Sequence, residues 1–228
     1  MADRIRVLST LALKGAFGGV AEQYGASGGA PIEGDFAPTV ALLARLKGGE
    51  GADLVILTRE GLDELAREGS VIAASCVDLA RSYVGIAVPR GVAHPDIATE
   101  PALRATLLAA RSVAYSRIGA SGIFFGQLIE RLGIAPEINA RAKIIPSGFT
   151  ADKLVTGEAD LAVQQISELK QVAGIEVVGP VPRDLQTPAV FSAGLTAAST
   201  NAAEAQRLLR YLASPEVAPA LRQSGLEP

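Results

Sequence analysis

The chain has 228 residues, more than one average domain and less than two, and 49% of them are hydrophobic. A chain of this length buries roughly 70–75% of its unfolded surface, so it needs no disulfide or metal to hold a core. With 21 basic and 24 acidic residues, its net charge of −3 gives no basic field for nucleic acid or an anionic membrane. Its one Cys and one His exclude a Cys/His zinc site and an intramolecular disulfide, and no cofactor or metal is predicted. These exclusions leave a soluble protein that acts on small molecules.

The start of the chain predicts no targeting segment. It reads Met-Ala-Asp-Arg, and a strand-like run begins at Ile5 without an apolar stretch and cleavage site before it. The longest uncharged stretch, Leu185 to Ala203, contains Pro188 and several polar residues, so no membrane insertion is expected. As written, the sequence predicts a cytoplasmic protein; if a leader has been removed, the expected location is periplasmic.

Short apolar runs alternate with helical patterns along the chain. Strands are predicted at 5–9, 32–36, 54–57, 83–88, 113–116, 143–145 and 161–164. Helices are predicted at 11–24, 39–47, 61–67, 100–110, 120–132, 150–155 and 202–212, with a last helix starting at Pro215. Strands that alternate with helices imply right-handed βαβ units and mainly parallel sheets. The predicted fold class is therefore α/β, with two Rossmann-like lobes.

The two lobes are inferred from a weak internal repeat. Residues 31–39, a helix and residues 49–58 form the first copy; residues 143–150, a helix and residues 157–165 form the second. Each copy has a strand, Pro with Ser or Thr, a short helix, Gly-Glu, Ala-Asp-Leu and an apolar strand with a polar end. The repeat predicts one lobe from residues 1–82 and 190–228, another from residues 83–189, and a ligand cleft between them.

Polar residues follow five of the predicted strands. In open α/β sheets, ligands lie beyond the carboxyl ends of the strands, where free N–H groups and helix dipoles attract anions. Taken singly, Thr10, Thr39 and Ser121 are better explained as helix caps, but the common position of all five loops favours a site for a small anion. The predicted ligand-binding residues are Ser9, Thr10, Thr39, Thr58, Ser116, Arg117, Ala120, Ser121, Gly122, Gln164 and Gln165.

Five motifs occur in a fixed order over nearly the whole chain. They are Val7-Leu-Ser-Thr10, Gly51-Ala-Asp-Leu54, Tyr83-Val-Gly-Ile-Ala-Val88, Ala93-His-Pro-Asp-Ile97 and Leu208-Leu-Arg-Tyr-Leu-Ala-Ser-Pro-Glu216. In this order they resemble the molybdate-binding branch of the type 2 periplasmic binding proteins. The resemblance implies two α/β lobes joined by two crossing segments, here near Tyr83–Val88 and Pro188–Ala193.

The same resemblance implies how a ligand is held. Members close on an oxyanion through hydroxyls and backbone N–H groups, and an ABC permease is the expected partner. Carried over to this sequence, Ser9 or Thr10 is the first hydroxyl, Thr39 is the second, and the loop Ser116–Gly122 faces them from the other lobe.

The sequence leaves two alternatives open. The fold is also similar to that of bacterial aconitate isomerases, whose chemistry needs cations for the carboxylates and a group that moves a proton. The candidate clamps are Lys14, Arg59 and Arg117, and the candidate proton carriers are Lys14, Tyr115 and Glu168. The second alternative is a ligand-sensing domain that signals to a partner. His94, in a turn before proline, and Cys76, in an apolar stretch, are interpreted as structural residues.

Overall fold

The computed structural model describes residues 4–228, which divide into two units. Unit 1 contains the chain up to Ser82 and from Ala189 onward, and unit 2 contains Tyr83–Pro188. Within the described range, no helix is long and apolar enough to cross a membrane.

The described chain contains ten strands and ten α-helices, which we number in chain order. The strands are β1 (Ile5–Ser9), β2 (Ile32–Phe36), β3 (Leu54–Thr58), β4 (Val77–Ser82), β5 (Val84–Pro89), β6 (Val113–Ser116), β7 (Lys143–Ile145), β8 (Leu161–Gln165), β9 (Ile175–Pro180) and β10 (Ala189–Leu195). The helices are α1 (Lys14–Ala26), α2 (Thr39–Lys47), α3 (Arg59–Arg67), α4 (Glu100–Ala109), α5 (Ala120–Arg131), α6 (Ala135–Asn139), α7 (Asp152–Val155), α8 (Ile166–Leu169), α9 (Ala202–Leu212) and α10 (Ala218–Ser224).

Each unit is built on one five-stranded sheet, with the order β2-β1-β3-β10-β4 in unit 1 and β7-β6-β8-β5-β9 in unit 2. The first three strands of each order are parallel, and the last two are antiparallel to their neighbours. The prediction of an α/β fold with two similar lobes is confirmed. Its expectation of mainly parallel sheets holds for three neighbouring strands of each sheet. Next to them lies one strand of opposite direction, β10 or β5, which also pairs antiparallel with the last strand, β4 or β9.

Several predicted elements differ in detail from the structure. The helix expected at 11–24 starts as a 3-10 turn, Leu11–Leu13, before α1, and the last helix likewise starts as a turn, Pro215–Val217, before α10. The helix expected at 150–155 is shorter in the structure, where α7 starts only at Asp152. Most residues of the two expected crossing segments belong to strands β5 and β10. The chain passes from unit 1 to unit 2 between residues 82 and 83, and it returns between residues 188 and 189.

Alternating side chains on the inner strands form a core on both faces of each sheet. On β3, Leu54 and Ile56 pack on the side of α1, α9 and α10, while Val55 and Leu57 pack on the side of α2 and α3. All five residues of β3 and of β8 are buried. Helices on both faces explain why these strands read as continuous apolar runs in the sequence.

The Ala-Asp-Leu motif of the repeat has the same structural role in both units. The Asp53 carboxylate accepts a hydrogen bond from the Arg6 backbone N–H (2.8 Å) and another from Ser199 Oγ (2.7 Å). The Asp160 carboxylate accepts one from the Arg111 backbone N–H (2.7 Å) and pairs with that guanidinium, which holds the carboxyl pKa below its usual value. In each unit an aspartate therefore ties the start of a buried parallel strand to the neighbouring segment.

Candidate functional site

In unit 1, the carboxyl ends of three parallel strands bring together Ser9–Thr10, Pro38–Val40 and Thr58, which we call the unit 1 loop cluster. Backbone bonds fix its shape: the Thr10 N–H donates to the Ile56 carbonyl (2.8 Å) and the Ala37 N–H donates to the Ser9 carbonyl (3.1 Å). The Thr58 N–H donates to Thr39 Oγ1 (3.2 Å), which joins the ends of β3 and of the loop before α2. The predicted unit 1 residues thus lie at one edge of one sheet.

The structure distinguishes the two hydroxyls at the end of β1. Ser9 is fully buried and its Oγ donates to the Thr10 carbonyl (3.1 Å). The Thr10 side chain makes no capping bond and has no hydrogen-bond partner among residues 4–228. Thr10, rather than Ser9, therefore has a hydroxyl available to a ligand.

Helix α2 presents free backbone N–H groups near the end of β1, which Thr10 follows. Its N-cap is Pro38, and the first intrahelical bond runs from the Leu42 N–H to the Pro38 carbonyl (3.1 Å). The N–H groups of Thr39, Val40 and Ala41 therefore have no carbonyl within the helix to bond. Because Thr39 Oγ1 accepts from Thr58, its own proton remains available to donate.

The remaining unit 1 candidates serve the fold. Thr58 caps α3, because its Oγ1 accepts a hydrogen bond from the Gly61 N–H (3.4 Å). Arg59 pairs with Asp63 (3.0 Å) and with Asp78 (2.8 Å). Two carboxylates thus already neutralise Arg59, one of the three candidate carboxylate clamps of the isomerase alternative.

In unit 2, the ends of β6, β7 and β8 bring together Ser116–Gly122, Ser147–Thr150 and Gln164–Gln165, which we call the unit 2 loop cluster. Ser116 Oγ accepts hydrogen bonds from the Ile118 N–H (3.3 Å) and the Gly119 N–H (3.4 Å), so it shapes the turn that enters α5. The segment 147–150 was not among the predicted site residues. Its position follows from the pairing of β7 with β6, which the sequence does not reveal.

The start of α5 carries donors like those of α2. Its first intrahelical bonds run from the Gly122 and Ile123 N–H groups to the Gly119 carbonyl, which leaves the N–H groups of Ala120 and Ser121 without intrahelical partners. The Ser121 hydroxyl has no hydrogen bond to any described residue, and Arg117 is exposed without an ion pair in the described part of the chain. Ser121 and Arg117 are therefore the free hydroxyl and the free cation of this cluster.

Gln164 is engaged inside unit 2. Its Oε1 accepts hydrogen bonds from the Thr150 N–H (2.7 Å) and from Thr150 Oγ1 (3.1 Å), and its Nε2 donates to the Gly148 carbonyl (3.0 Å). Gln165, at the N-cap position of α8, is also buried. Gln164 was expected to contact the ligand directly, whereas its bonds hold the loop that follows β7.

Replacement of Gln164 by Met should destabilise the protein by about 1–3 kcal/mol, because the buried Thr150 N–H loses its acceptor. Gln127→Met, on the exposed side of α5, is the matched control and should stay within about 0.5 kcal/mol of wild type. Urea unfolding measures both changes. Equal free energies of unfolding for the two variants would contradict the bracing role of Gln164.

The three candidate proton carriers lie in different surroundings. The Tyr115 hydroxyl donates to Asn139 Oδ1 and its ring packs against Phe125 (5.0 Å between ring centroids), so it belongs to the core. Lys14 is exposed at the start of α1. Glu168 is 7% exposed and accepts from the Gln165 N–H and the Gln164 side chain, while burial raises the pKa of its carboxyl to about 8.

His94 and Cys76, interpreted as structural from the sequence, are not members of either loop cluster. The exposed His94 Nε2 lies 3.0 Å from a carboxylate oxygen of Glu176. Burial raises the pKa of the Cys76 thiol, which lowers its reactivity. Over the described range, no group of three or more His, Cys, Asp or Glu side chains could hold a metal ion.

The arrangement of strands and helices matches that of known binding proteins. The periplasmic molybdate-binding protein of Azotobacter vinelandii is 18% identical, with a TM-score of 0.83 over 97% of this chain and 98% of that chain. The sulfate-binding protein SubI of Mycobacterium tuberculosis H37Rv is 16% identical, with a TM-score of 0.77 over 99% of this chain and 86% of that chain. The fold is therefore that of the type 2 periplasmic binding proteins.

Sequence comparison gives the family itself. The model for bacterial extracellular solute-binding proteins matches residues 5–227, and the chain belongs to that family. An aconitate isomerase from a Pseudomonas species is 36% identical over 98% of this chain and 87% of its own length.

Proposed function

We propose that the protein binds a small organic anion that carries more than one carboxylate, and that the helix starts in the loop clusters supply hydrogen-bond donors for it. The observation that carries the proposal is the pair of helix starts, at α2 and α5, that each combine free N–H groups with a free hydroxyl donor. Such helix starts attract anions through their N–H groups and their dipoles. Membership in the solute-binding family supports the same function.

Side chains around the two helix starts support an organic anion over an inorganic one. Val40 on α2 is 50% exposed, and Ile118 and Ile123 at the start of α5 are 39% and 45% exposed. Apolar side chains beside anion-binding N–H groups suit a ligand with a hydrocarbon skeleton between its charged groups. Arg117 adds a guanidinium, whose geometry matches a carboxylate.

Calorimetry with a panel of anions tests this function. The panel contains citrate, cis-aconitate, trans-aconitate, molybdate, tungstate, sulfate and phosphate. We expect heat and a finite Kd for one or more tricarboxylates, with weaker or no binding of the tetrahedral oxyanions. Binding of none of these anions would contradict the proposal, and preference for molybdate or sulfate would contradict its organic part.

Removal of either free hydroxyl should weaken binding. Thr10→Val in unit 1 and Ser121→Ala in unit 2 each delete a donor without breaking an intramolecular bond of the described chain, so each should raise Kd about tenfold and leave stability nearly unchanged. Thr200→Val, at an exposed position, is the matched control. A variant whose Kd equals that of wild type would contradict the role of that hydroxyl in ligand binding.

A second candidate function, isomerisation of an unsaturated tricarboxylate, is favoured by the 36% identical relative. In an allylic shift, a base takes a proton from the carbon beside the double bond, the double bond moves, and a proton returns at its far end. Among the three candidate carriers, Glu168 is favoured because burial raises the pKa of its carboxyl to about 8, close to neutral pH, which suits proton transfer. Incubation with cis-aconitate or trans-aconitate, followed by chromatography, tests this function. Unchanged substrate after long incubation with enzyme that binds it would exclude it.

The remaining proposals concern location and partner. As a binding protein the chain would work outside the cytoplasm and deliver its ligand to an ABC permease, which the description of its family supports. Release of the native protein by osmotic shock would agree with this location, and its retention inside spheroplasts would contradict it. A sensing role would instead appear as ligand-dependent capture of a partner that is not a permease.

A further inference from the structure

Glu168 occupies an unusual position for a carboxyl group. It lies on the short helix α8, which packs against β5, β8 and β9, and only 7% of it is exposed. Its carboxyl accepts hydrogen bonds from the Gln165 N–H and from the side chain of Gln164. Both of these glutamines belong to the unit 2 loop cluster.

Through Gln164, the contact extends to the loop that follows β7. The Gln164 Oε1 atom accepts a hydrogen bond from the Thr150 N–H (2.7 Å), and the Nε2 atom donates one to the Gly148 carbonyl (3.0 Å). Thr150 is itself fully buried. One side chain therefore connects Glu168 to the loop 147–150.

Within residues 4–228, no charged side chain contributes to the pKa shift of Glu168, which is set by burial and by its hydrogen bonds from Gln165 and Gln164. Strands β5 and β8 have no titratable side chains. On β9 the carboxylate of Glu176 is exposed and pairs with His94, and on α7 both Asp152 and Lys153 point toward solvent or other partners. An ionised Glu168 would be an unpaired buried charge, which is costly in a protein interior.

We propose that Glu168 is a positioning residue of the anion site: through Gln164 and the Gln165 N–H it holds the loop 147–150 and the end of β8 in the arrangement that binds the ligand. This inference rests on the proposed function for its effect on affinity. Burial raises the pKa of the carboxyl to about 8, so the carboxyl stays protonated below that pH. Ionisation above that pH would leave the buried charge unpaired, so α8 and the two glutamines would have to move.

The first test needs no ligand. In protein labelled with ¹³C at the glutamate carboxyl groups, one signal, absent from Glu168→Gln, should titrate near pH 8. The amide signals of Gly148, Thr150 and Gln165 should shift with the same midpoint in wild type and should not do so in Glu168→Gln. Loop amides that ignore this titration, or a Glu168 that titrates in the ordinary range for glutamate, would overturn the inference.

The second test measures the Kd of citrate and of trans-aconitate from pH 6 to pH 9. Affinity should fall at least fivefold in wild type as the pH passes 8, and it should stay level in Glu168→Gln, whose amide is neutral at every pH. Glu168→Leu, which removes the hydrogen bonds as well, should bind weakly throughout. The same pH profile in wild type and Glu168→Gln would overturn the inference, as would loss of isomerisation in Glu168→Gln with unchanged loop shifts and Kd. If wild type binds neither anion, the proposed function fails while the carboxyl and amide titrations still decide the role of Glu168.

Discussion

Gly122→Ala should destabilise the protein by about 3 kcal/mol or more and abolish anion binding. A Cβ atom at residue 122 would lie 1.5 Å from the carbonyl oxygen of Ser116, which is backbone and cannot rotate away. The start of α5 would have to separate from the end of β6, and the free N–H groups of Ala120 and Ser121 would move with it. Urea unfolding and calorimetry with citrate measure the two effects.

The same helix offers a matched control. Gly126 lies in the interior of α5, and a Cβ atom there would have no neighbour within 4 Å. Gly126→Ala should therefore stabilise the protein by about 0.5–1 kcal/mol, because alanine loses less backbone entropy in a helix. If Gly122→Ala and Gly126→Ala differed by less than about 1 kcal/mol, the close approach of α5 to Ser116 would not be the constraint that we describe.

Glu168→Gln should become progressively more stable than wild type as the pH rises from about 5 to 8. A glutamate in the unfolded chain ionises near its ordinary pKa of 4.5, whereas burial raises the pKa in the folded protein to about 8. Between these values the native state holds one more proton than the unfolded state, so the free energy of unfolding of wild type falls by about 1.4 kcal/mol per pH unit. The loss ends above the folded pKa, and its total is on the order of 3–5 kcal/mol.

The difference between the two proteins isolates this residue, because all other titrating groups are shared. Urea unfolding at pH 5, 6, 7 and 8 gives the difference in the free energy of unfolding at each pH. A constant difference across this range would mean that Glu168 is ionised in the native state. The same series on Glu130→Gln, an exposed position of α5, should show no such trend.

The part of the fold that the sequence predicts best is the set of parallel strands and the helices that follow them. Strand β2 and helix α2 have the expected bounds. Ala37 and Pro38 separate the strand pattern from the helix pattern in the sequence. Strands β4, β9 and β10 were missed. They carry Asp78, Arg81 and Glu176, and their extended form depends on antiparallel pairing with distant strands. No local period signals such pairing.

The candidate site shows the same limit. Thr39 and Ser121 could be selected as candidates because hydroxyl residues at the start of helical patterns mark helix starts in the sequence. The bracing role of Gln164 could not be predicted, because its partner Thr150 comes from a segment that only the tertiary structure brings next to it. The burial of Glu168 was also invisible, because glutamate in a short polar stretch usually faces solvent.

Local donors would allow a chain of net charge −3 to hold the proposed anion. Within residues 4–228, the free N–H groups of α2 and α5 and the unpaired Arg117 supply positive potential where it is needed. Arg59, which the sequence offered as another cation, is neutralised by Asp63 and Asp78. The mild acidity of the whole chain therefore places no limit on this site.

The central claim is that the N–H groups at the starts of α2 and α5 donate hydrogen bonds to a bound anion, and an NMR titration of ¹⁵N-labelled protein with the best ligand of the panel tests it most directly. The amide signals of Val40 and Ala41 on α2, and of Ala120 and Ser121 on α5, should shift downfield and follow a Kd that agrees with calorimetry. The account is contradicted if these amides stay unchanged while others shift.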